Sequence, residues 1–192
     1  MTGVQTCALP ISTVVISDCD DYPFDALIDK NGNIYLAYTL GSNKNLVMRK
    51  LSFLDGSWTV GSLVTIYNTD ENYFPSLCFE STDRLWVGWS RLSGGQHYIN
   101  AKYSDDWGVN WAGGVASPGD TLSSGSNAAC AKLVNMADYI YAVYTDGGTK
   151  IYYRRKQFYV ALWDSESEIF TGINLDKNFD VTPSGDNRIG VV

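Results

Sequence analysis

Apolar residues along this 192-residue chain fall in short runs broken by Gly, Asn, Asp and Ser, and the runs have the length of strands rather than helices. Three of them, residues 34–38, 85–89 and 140–144, are apolar at successive positions and rich in aromatic and β-branched side chains. A strand with one face in water carries a polar residue at every second position, so these three are expected to be covered on both faces. Each follows another apolar run, at residues 24–28, 74–79 and 128–134, and the first two of these end in the turn sequences Asp29-Lys30-Asn31-Gly32 and Ser81-Thr82-Asp83. Asn31-Gly32 between apolar runs predicts a hairpin. Each also leads through a Gly-containing loop into a third strand, at residues 46–51, 98–103 and 150–155.

Aligned on their second strands, Ile34, Leu85, Ile140 and Ile189 lie 51, 55 and 49 residues apart. A period of that length built from short strands belongs to a radial, bladed architecture. A β-sandwich would want alternating burial and gives no reason for the period. The expected fold is all-β, a partial β-propeller of about three to three and a half four-stranded antiparallel blades, from a parent of about six. The repeat units are expected at residues 22–70, 71–122 and 123–177, with a truncated unit at 178–192.

Composition narrows the function. Hydrophobic residues make up 45% of the chain, enough for a packed core, while a net charge of −7 argues against a nucleic-acid or anionic membrane partner. No apolar run approaches the roughly 20 residues of a membrane span. Phosphate loops, nucleophile elbows and zinc or calcium spacings are missing, so no cofactor or metal is expected. His97 is the single histidine, and one position before a strand it reads as an exposed polar residue. Arg154-Arg155-Lys156 at a strand end reads as a solvated outer edge. Residues 1–12, from Met1-Thr2-Gly3-Val4-Gln5-Thr6-Cys7 onward, match the translation of a common sequencing-adapter oligonucleotide, and are expected to be an assembly artefact in a metagenomic-type fragment. Any leader peptide would have been lost with the true start. Cys19, Cys78 and Cys130 then remain, an odd number without metal spacing, and Cys78 reads as a small buried residue within a strand.

Residues 104–111, Ser-Asp-Asp-Trp-Gly-Val-Asn-Trp, fit the pattern Ser-x-Asp-x-Gly-x-x-Trp at Ser104, Asp106, Gly108 and Trp111. They resemble the Asp box of the sialidase-type (BNR repeat) β-propellers. The resemblance implies that Ser and Asp tie a tight hairpin to its own backbone, that Gly takes a turn conformation closed to other residues, and that Trp packs between strands. Asp55-Gly56-Ser57-Trp58 looks like a shortened copy, and the third unit keeps only Trp163.

The same resemblance places ligand chemistry on the rim opposite the Asp box, in loops entering each first strand and loops joining second to third strands. Polar and aromatic residues there make Asp21, Tyr22, Glu71, Tyr73, Arg91 and His97 the candidate ligand-binding set. Carboxylates suit sugar hydroxyls and rings suit apolar sugar faces, so the expected partner is a glycan or polysaccharide, alongside the remaining blades of the same parent chain. Sialidases of this kind hold a substrate carboxylate with three arginines and use an Asp acid/base with a Tyr–Glu pair. That set cannot be placed here, and the catalytic residues are unassigned. Two functions remain open: a glycan-recognising fragment of a sialidase-like glycoside hydrolase, or a non-catalytic carbohydrate-binding or structural propeller of a cell-surface or phage-tail protein. Either goes with secretion or surface display.

Overall fold

The computed structural model describes residues 16–19, 23–125, 127–172, 179–184 and 188–191. The adapter-like segment at residues 1–12, and with it Asp21 and Tyr22, lies outside them. Among the described residues, fifteen strands make up the regular structure. No helix long and apolar enough to cross a membrane occurs among the described residues.

The strands form successive antiparallel meanders. The first is β1 (Asp25–Ile28), β2 (Ile34–Thr39) and β3 (Leu46–Leu54), with β4 (Ser57–Val60) and β5 (Val64–Tyr67) both on the outer edge of β3. β4 and β5 are two halves of one outer strand, broken where the Gly61 N–H donates to Lys50 O at 2.8 Å. The second meander is β6 (Glu71–Phe79), β7 (Leu85–Ser93), β8 (Gln96–Ser104) and β9 (Asp120–Thr121). The third is β10 (Ala131–Met136), β11 (Tyr139–Thr145), β12 (Lys150–Gln157) and β13 (Ser167–Thr171). A hairpin of β14 (Val181–Ser184) and β15 (Arg188–Val191) begins a fourth. The molecule is a partial β-propeller.

Blades pack face to face, and the two sides of β7 explain its unbroken apolar run. Leu85, Val87 and Trp89 face the first blade, joining Tyr35, Ala37, Met48 and Ile66 in one core. Trp86 faces the third blade, with Ile99, Leu133, Ile140, Ala142 and Tyr144 in another. Burying an indole such as that of Trp86, fully out of water, contributes about 5 kcal/mol at most before entropy is counted. Ile34, Leu85 and Ile140 occupy equivalent places, since the residues after them, Tyr35, Trp86 and Tyr141, all point to the following blade. Tyr35 donates to Asp29 and Trp86 Nε1 donates to Glu80, the matching residue that ends each first strand. Ile34 and Leu36 are only half-buried, because among the described residues no blade packs on their side of β2.

The first strands of successive blades lie side by side without pairing. Their inner edges therefore carry N–H groups that need acceptors. A polar side chain at one repeated position supplies them: Asp25 Oδ2 accepts from Leu77 N at 2.7 Å, and Ser76 Oγ accepts from Leu133 N at 3.0 Å. In the third blade the same position is Lys132, whose Nζ stands 3.7 Å from Asp180 Oδ1. A second repeated joint is a hydroxyl on the second strand. Thr39 Oγ1 donates to Asn72 O and Ser90 Oγ to Ala128 O, each at 3.1 Å and each across to the next blade.

The hairpin at residues 104–111 is tied to itself. Ser104 Oγ accepts from the buried Gly108 N–H at 2.8 Å and donates to Asp106 Oδ1, which also accepts from Asn110 N at 2.8 Å. The Asn110 N–H, with the side chains of Asn110 and Ser104, holds the Asp106 carboxyl below its ordinary range. Gly108 sits at φ +84°, where a Cβ would lie 2.1 Å from Met48 Cε. Trp111 is buried in the core between the first two blades. The loop that follows is fastened by the fully buried Lys102, whose Nζ donates to the carbonyls of Ile66, Gly114 and Ser117.

Several local expectations are corrected. Asp55-Gly56 is a two-residue turn with both φ positive, +51° and +81°, joining Leu54 to Ser57. That is the hairpin geometry that matches strand twist, and it leaves Trp58 exposed beside Phe53 rather than seated in a core. Asn31-Gly32 does lie in the hairpin between β1 and β2, though within a longer loop in which Asp29 Oδ1 accepts from the N–H groups of Asn31 and Asn33. Arg154-Arg155-Lys156 is not a solvated edge. Alternation turns Lys156 inward, where its Nζ donates to Ala161 O and lies over the rings of Trp86 and Trp163. Only Arg155 reaches outward, to Asp164. Cys78 is buried, and desolvation pushes its thiol up to about 12.

Candidate functional site

Register separates the two ends of the blades. Glu71 pairs with Leu92 and Ser93 with Gln96 at one end, while Phe79 pairs with Leu85 and Leu85 with Ser104 at the other. The 104–111 hairpin therefore stands opposite Glu71, Tyr73, Arg91 and His97.

At the Glu71 end a cleft of about 350 Å³ opens between the loop entering the third blade and the body of that blade, within the usual size range for ligand sites. Ser123, Ser124 and Asn127 line it from the loop entering the third blade, Thr145 and Asp146 from the end of β11, and Tyr152 and Glu166 from deeper in that blade. Asp146 shapes its own turn: Oδ1 accepts from the N–H groups of Gly148, Thr149 and Lys150, each at 3.0 Å. Gly147 is at φ +81°, and a Cβ there would meet Asn127 O at 2.2 Å, so glycine lets this turn approach the opposite wall.

Glu166 crosses the floor. It accepts from Ser124 N at 2.8 Å and Ser124 Oγ at 2.7 Å, and the Tyr144 hydroxyl lies 2.8 Å from its Oε2. Burial would raise its carboxyl, but these donors and the nearby Arg154 more than offset that and hold it below the ordinary value. Burial, reinforced by Glu166, pushes Tyr144 upward. Glu166 is thus an ionised acceptor and poorly suited to giving up a proton. The Tyr152 ring stacks on Tyr144 with centroids 6.2 Å apart.

The expected ligand set divides over the two faces of β7. Glu71, Tyr73 and His97 come together on the face toward the third blade. The Tyr73 hydroxyl donates to Glu71 Oε2, and the Tyr73 and His97 rings are 5.6 Å apart. His97 Nδ1 is 3.2 Å from Ser90 Oγ. The Ser90 hydroxyl is also 3.1 Å from Ala128 O, so it links the ring to the start of the third blade. His97 lies within β8, half-buried, rather than exposed before it. A bridge between His97 and Asn127 joins this group to the cleft wall. Arg91 is on the other face, bound to Asp70 at 3.0 Å and Asn100 at 3.1 Å, with Tyr67 also on Asp70. Asp21 and Tyr22 lie outside the described residues.

Sequence reasoning named the loops holding Ser123, Asn127 and Asp146 but not these residues, and it missed Tyr144, Tyr152 and Glu166. Tyr152 alternates with residues of a strand already recognised, whereas Glu166 stands on an irregular stretch without a pattern of its own. No cluster suited to a metal ion occurs among the described residues.

No protein-family model matches the chain, and no curated protein sequence does. Solved structures do. A Hadza microbial sialidase superposes with a TM-score of 0.54 at 14% identity, over 79% of this chain and 33% of that one. An α-L-arabinofuranosidase from Fusarium graminearum, in complex with an iminosugar inhibitor, gives 0.55 at 16% identity, over 85% and 55%. The catalytic domain of the Coprinopsis cinerea GH62 α-L-arabinofuranosidase gives 0.54 at 10% identity, over 91% and 63%. The chain thus spans a third to under two thirds of these proteins. At such identities the likeness is one of fold.

Proposed function

We propose that this chain is part of a glycan-recognising β-propeller, with successive blades at residues 22–70, 71–122, 123–177 and 178–192, and that sugar docks in the cleft between the third blade and the loop that enters it. The observation that carries this reading is the cleft itself: hydroxyl, amide and carboxylate groups converge on it beside a tyrosine ring, the mixture that suits saccharide hydroxyls and ring faces. Glu71, Tyr73 and His97 extend it along the rim. Structural likeness to a sialidase and to arabinofuranosidases supports a glycan ligand. The hairpin at residues 104–111 is then an Asp box of the sialidase type, its role structural. A polysaccharide partner places the protein's work outside the cell or at its surface.

Binding is favoured over hydrolysis within this cleft. Glycoside hydrolysis needs one carboxyl group to donate a proton and another to act as base or nucleophile. Here Glu166 is held ionised by three donors, and Asp146 Oδ1 is committed to three turn amides. Arg91 is paired with Asp70. A glycan array probed with the wild type and with Asn127→Ala and Tyr152→Ala tests the proposal. Binding lost in both variants, with unchanged melting curves, is the expected result. Binding untouched by either would move the site elsewhere, and binding to no glycan would refute the reading.

A further inference from the structure

The charge on the cleft wall goes further than the presence of a cleft. Both ionisable carboxyl residues that line it, Asp146 and Glu166, are acidic, and no Lys or Arg belongs to the lining among the described residues. Two cations stand behind the lining. Lys150 Nζ is 2.7 Å from Glu168 Oε2 and lies 5.9 Å from the centroid of the Tyr152 ring, without itself lining the cleft. Arg154 lies beneath, where its charge acts on Glu166 and Tyr144. On the rim beyond, Arg91 is held by Asp70 on the far face of β7, and Glu71 adds a further carboxylate on the near face.

We infer that this cleft selects uncharged saccharides and rejects those carrying a carboxylate. The inference rests on the glycan reading above and sharpens it to a substrate class. A sugar carboxylate brought to this wall would face two acidic groups with no cation in the lining, Lys150 being paired with Glu168 and the Arg154 Nε buried beneath the floor, and like charges facing each other across an interface are strongly unfavourable. A neutral sugar meets acceptors instead. Asp146 Oδ1 is fixed by the turn, while Oδ2 has no protein donor among the described residues and can take a sugar hydroxyl. The Asn127 side chain is exposed for a second hydroxyl, and Tyr152 offers ring surface. Glu166, already held by Ser124 and Tyr144, contributes chiefly its charge to the exclusion of anions.

The test uses the whole chain and paired probes on one array, neutral oligosaccharides against counterparts of the same backbone bearing uronate or sialyl groups. Retention of the neutral members at least about tenfold above their anionic partners is expected. Raising NaCl from low to high concentration should narrow that gap by improving the anionic members, because screening weakens the repulsion. Asp146→Asn keeps one oxygen for the turn amides, and Glu166→Gln keeps one for the Ser124 N–H while its NH2 can donate to the Ser124 hydroxyl, so the pair removes the charge and should narrow the gap further. Equal or stronger binding of the anionic members, lost when Asn127 or Tyr152 is replaced, would overturn the inference while leaving the glycan reading intact. If no saccharide of either kind binds, both fall together.

Discussion

Replacing Gly108 by alanine tests how the 104–111 hairpin is seated, and its cost can be worked out from two features. At φ +84° an L-residue is strained, by about 1–2 kcal/mol. The new Cβ would also lie 2.1 Å from Met48 Cε and 3.1 Å from its Sδ, and Met48 is only 1% exposed. The methionine end is flexible but has buried neighbours on every side, so overpacking should add about 1–3 kcal/mol. The expected total of about 2–5 kcal/mol is a large part of a small domain's stability. Urea unfolding followed by tryptophan fluorescence measures it. The two causes separate in a double-mutant cycle, because Met48→Ala removes the atoms in the way. Gly108→Ala should then cost only the backbone strain, about 1–2 kcal/mol. A cost below about 1 kcal/mol in the parent, or an equal cost in both backgrounds, would show that the hairpin does not press on the first blade as described.

Ser104→Ala leaves the buried Gly108 N–H without its acceptor and should destabilise by about 1–3 kcal/mol in the same assay, and Asp106→Ala by less, because the Asn110 N–H it serves is exposed. Neither should change glycan binding at the opposite rim. Ser76→Ala orphans Leu133 N between the second and third blades, with an expected loss of about 1–3 kcal/mol; a neutral result in thermal melts would argue against that joint. Glu166 has its folded pKa depressed below the ordinary 4.5, so its contribution is fully present above that value and fades as pH falls through the folded pKa. Melting curves from pH 6 down to about pH 3 should show a shallower acid loss for Glu166→Gln than for the parent, and parallel losses would contradict the Glu166–Ser124–Tyr144 network.

What was legible in the chain was what repeats. The second strands announce themselves because burial between two blades removes alternation, as Leu85 to Trp89 shows, and the spacing of Ile34, Leu85 and Ile140 then carries the architecture. The inner-edge acceptors were not legible: Asp25, Ser76 and Lys132 share a position but not a chemistry, and only the pairing register aligns them. Lys156 was misjudged because its charge was taken to keep it in solvent, although Tyr152, Arg154 and Lys156 share one face of β12 and that face packs on the second blade. At the site, loop position identified the rim, yet each side chain's face on β7 decided its company, and that separated Arg91 from Glu71, Tyr73 and His97.

The joints between first strands have a direction. Asp25 and Ser76 each reach forward along the chain to an amide of the following blade, and Thr39 and Ser90 do the same with their hydroxyls. A unit built this way brings its own fastener and needs from its successor only backbone, which every sequence has. Blades so joined can be copied, lost or exchanged without co-adapting two side chains at once, an economy suited to growth by duplication. Between the third blade and β14 the fastener is instead an ion pair, Lys132 with Asp180, solvent-accessible on both sides. That joint requires matched partners, as does the exposed Lys30–Asp83 pair between the first two blades, and both should loosen with ionic strength.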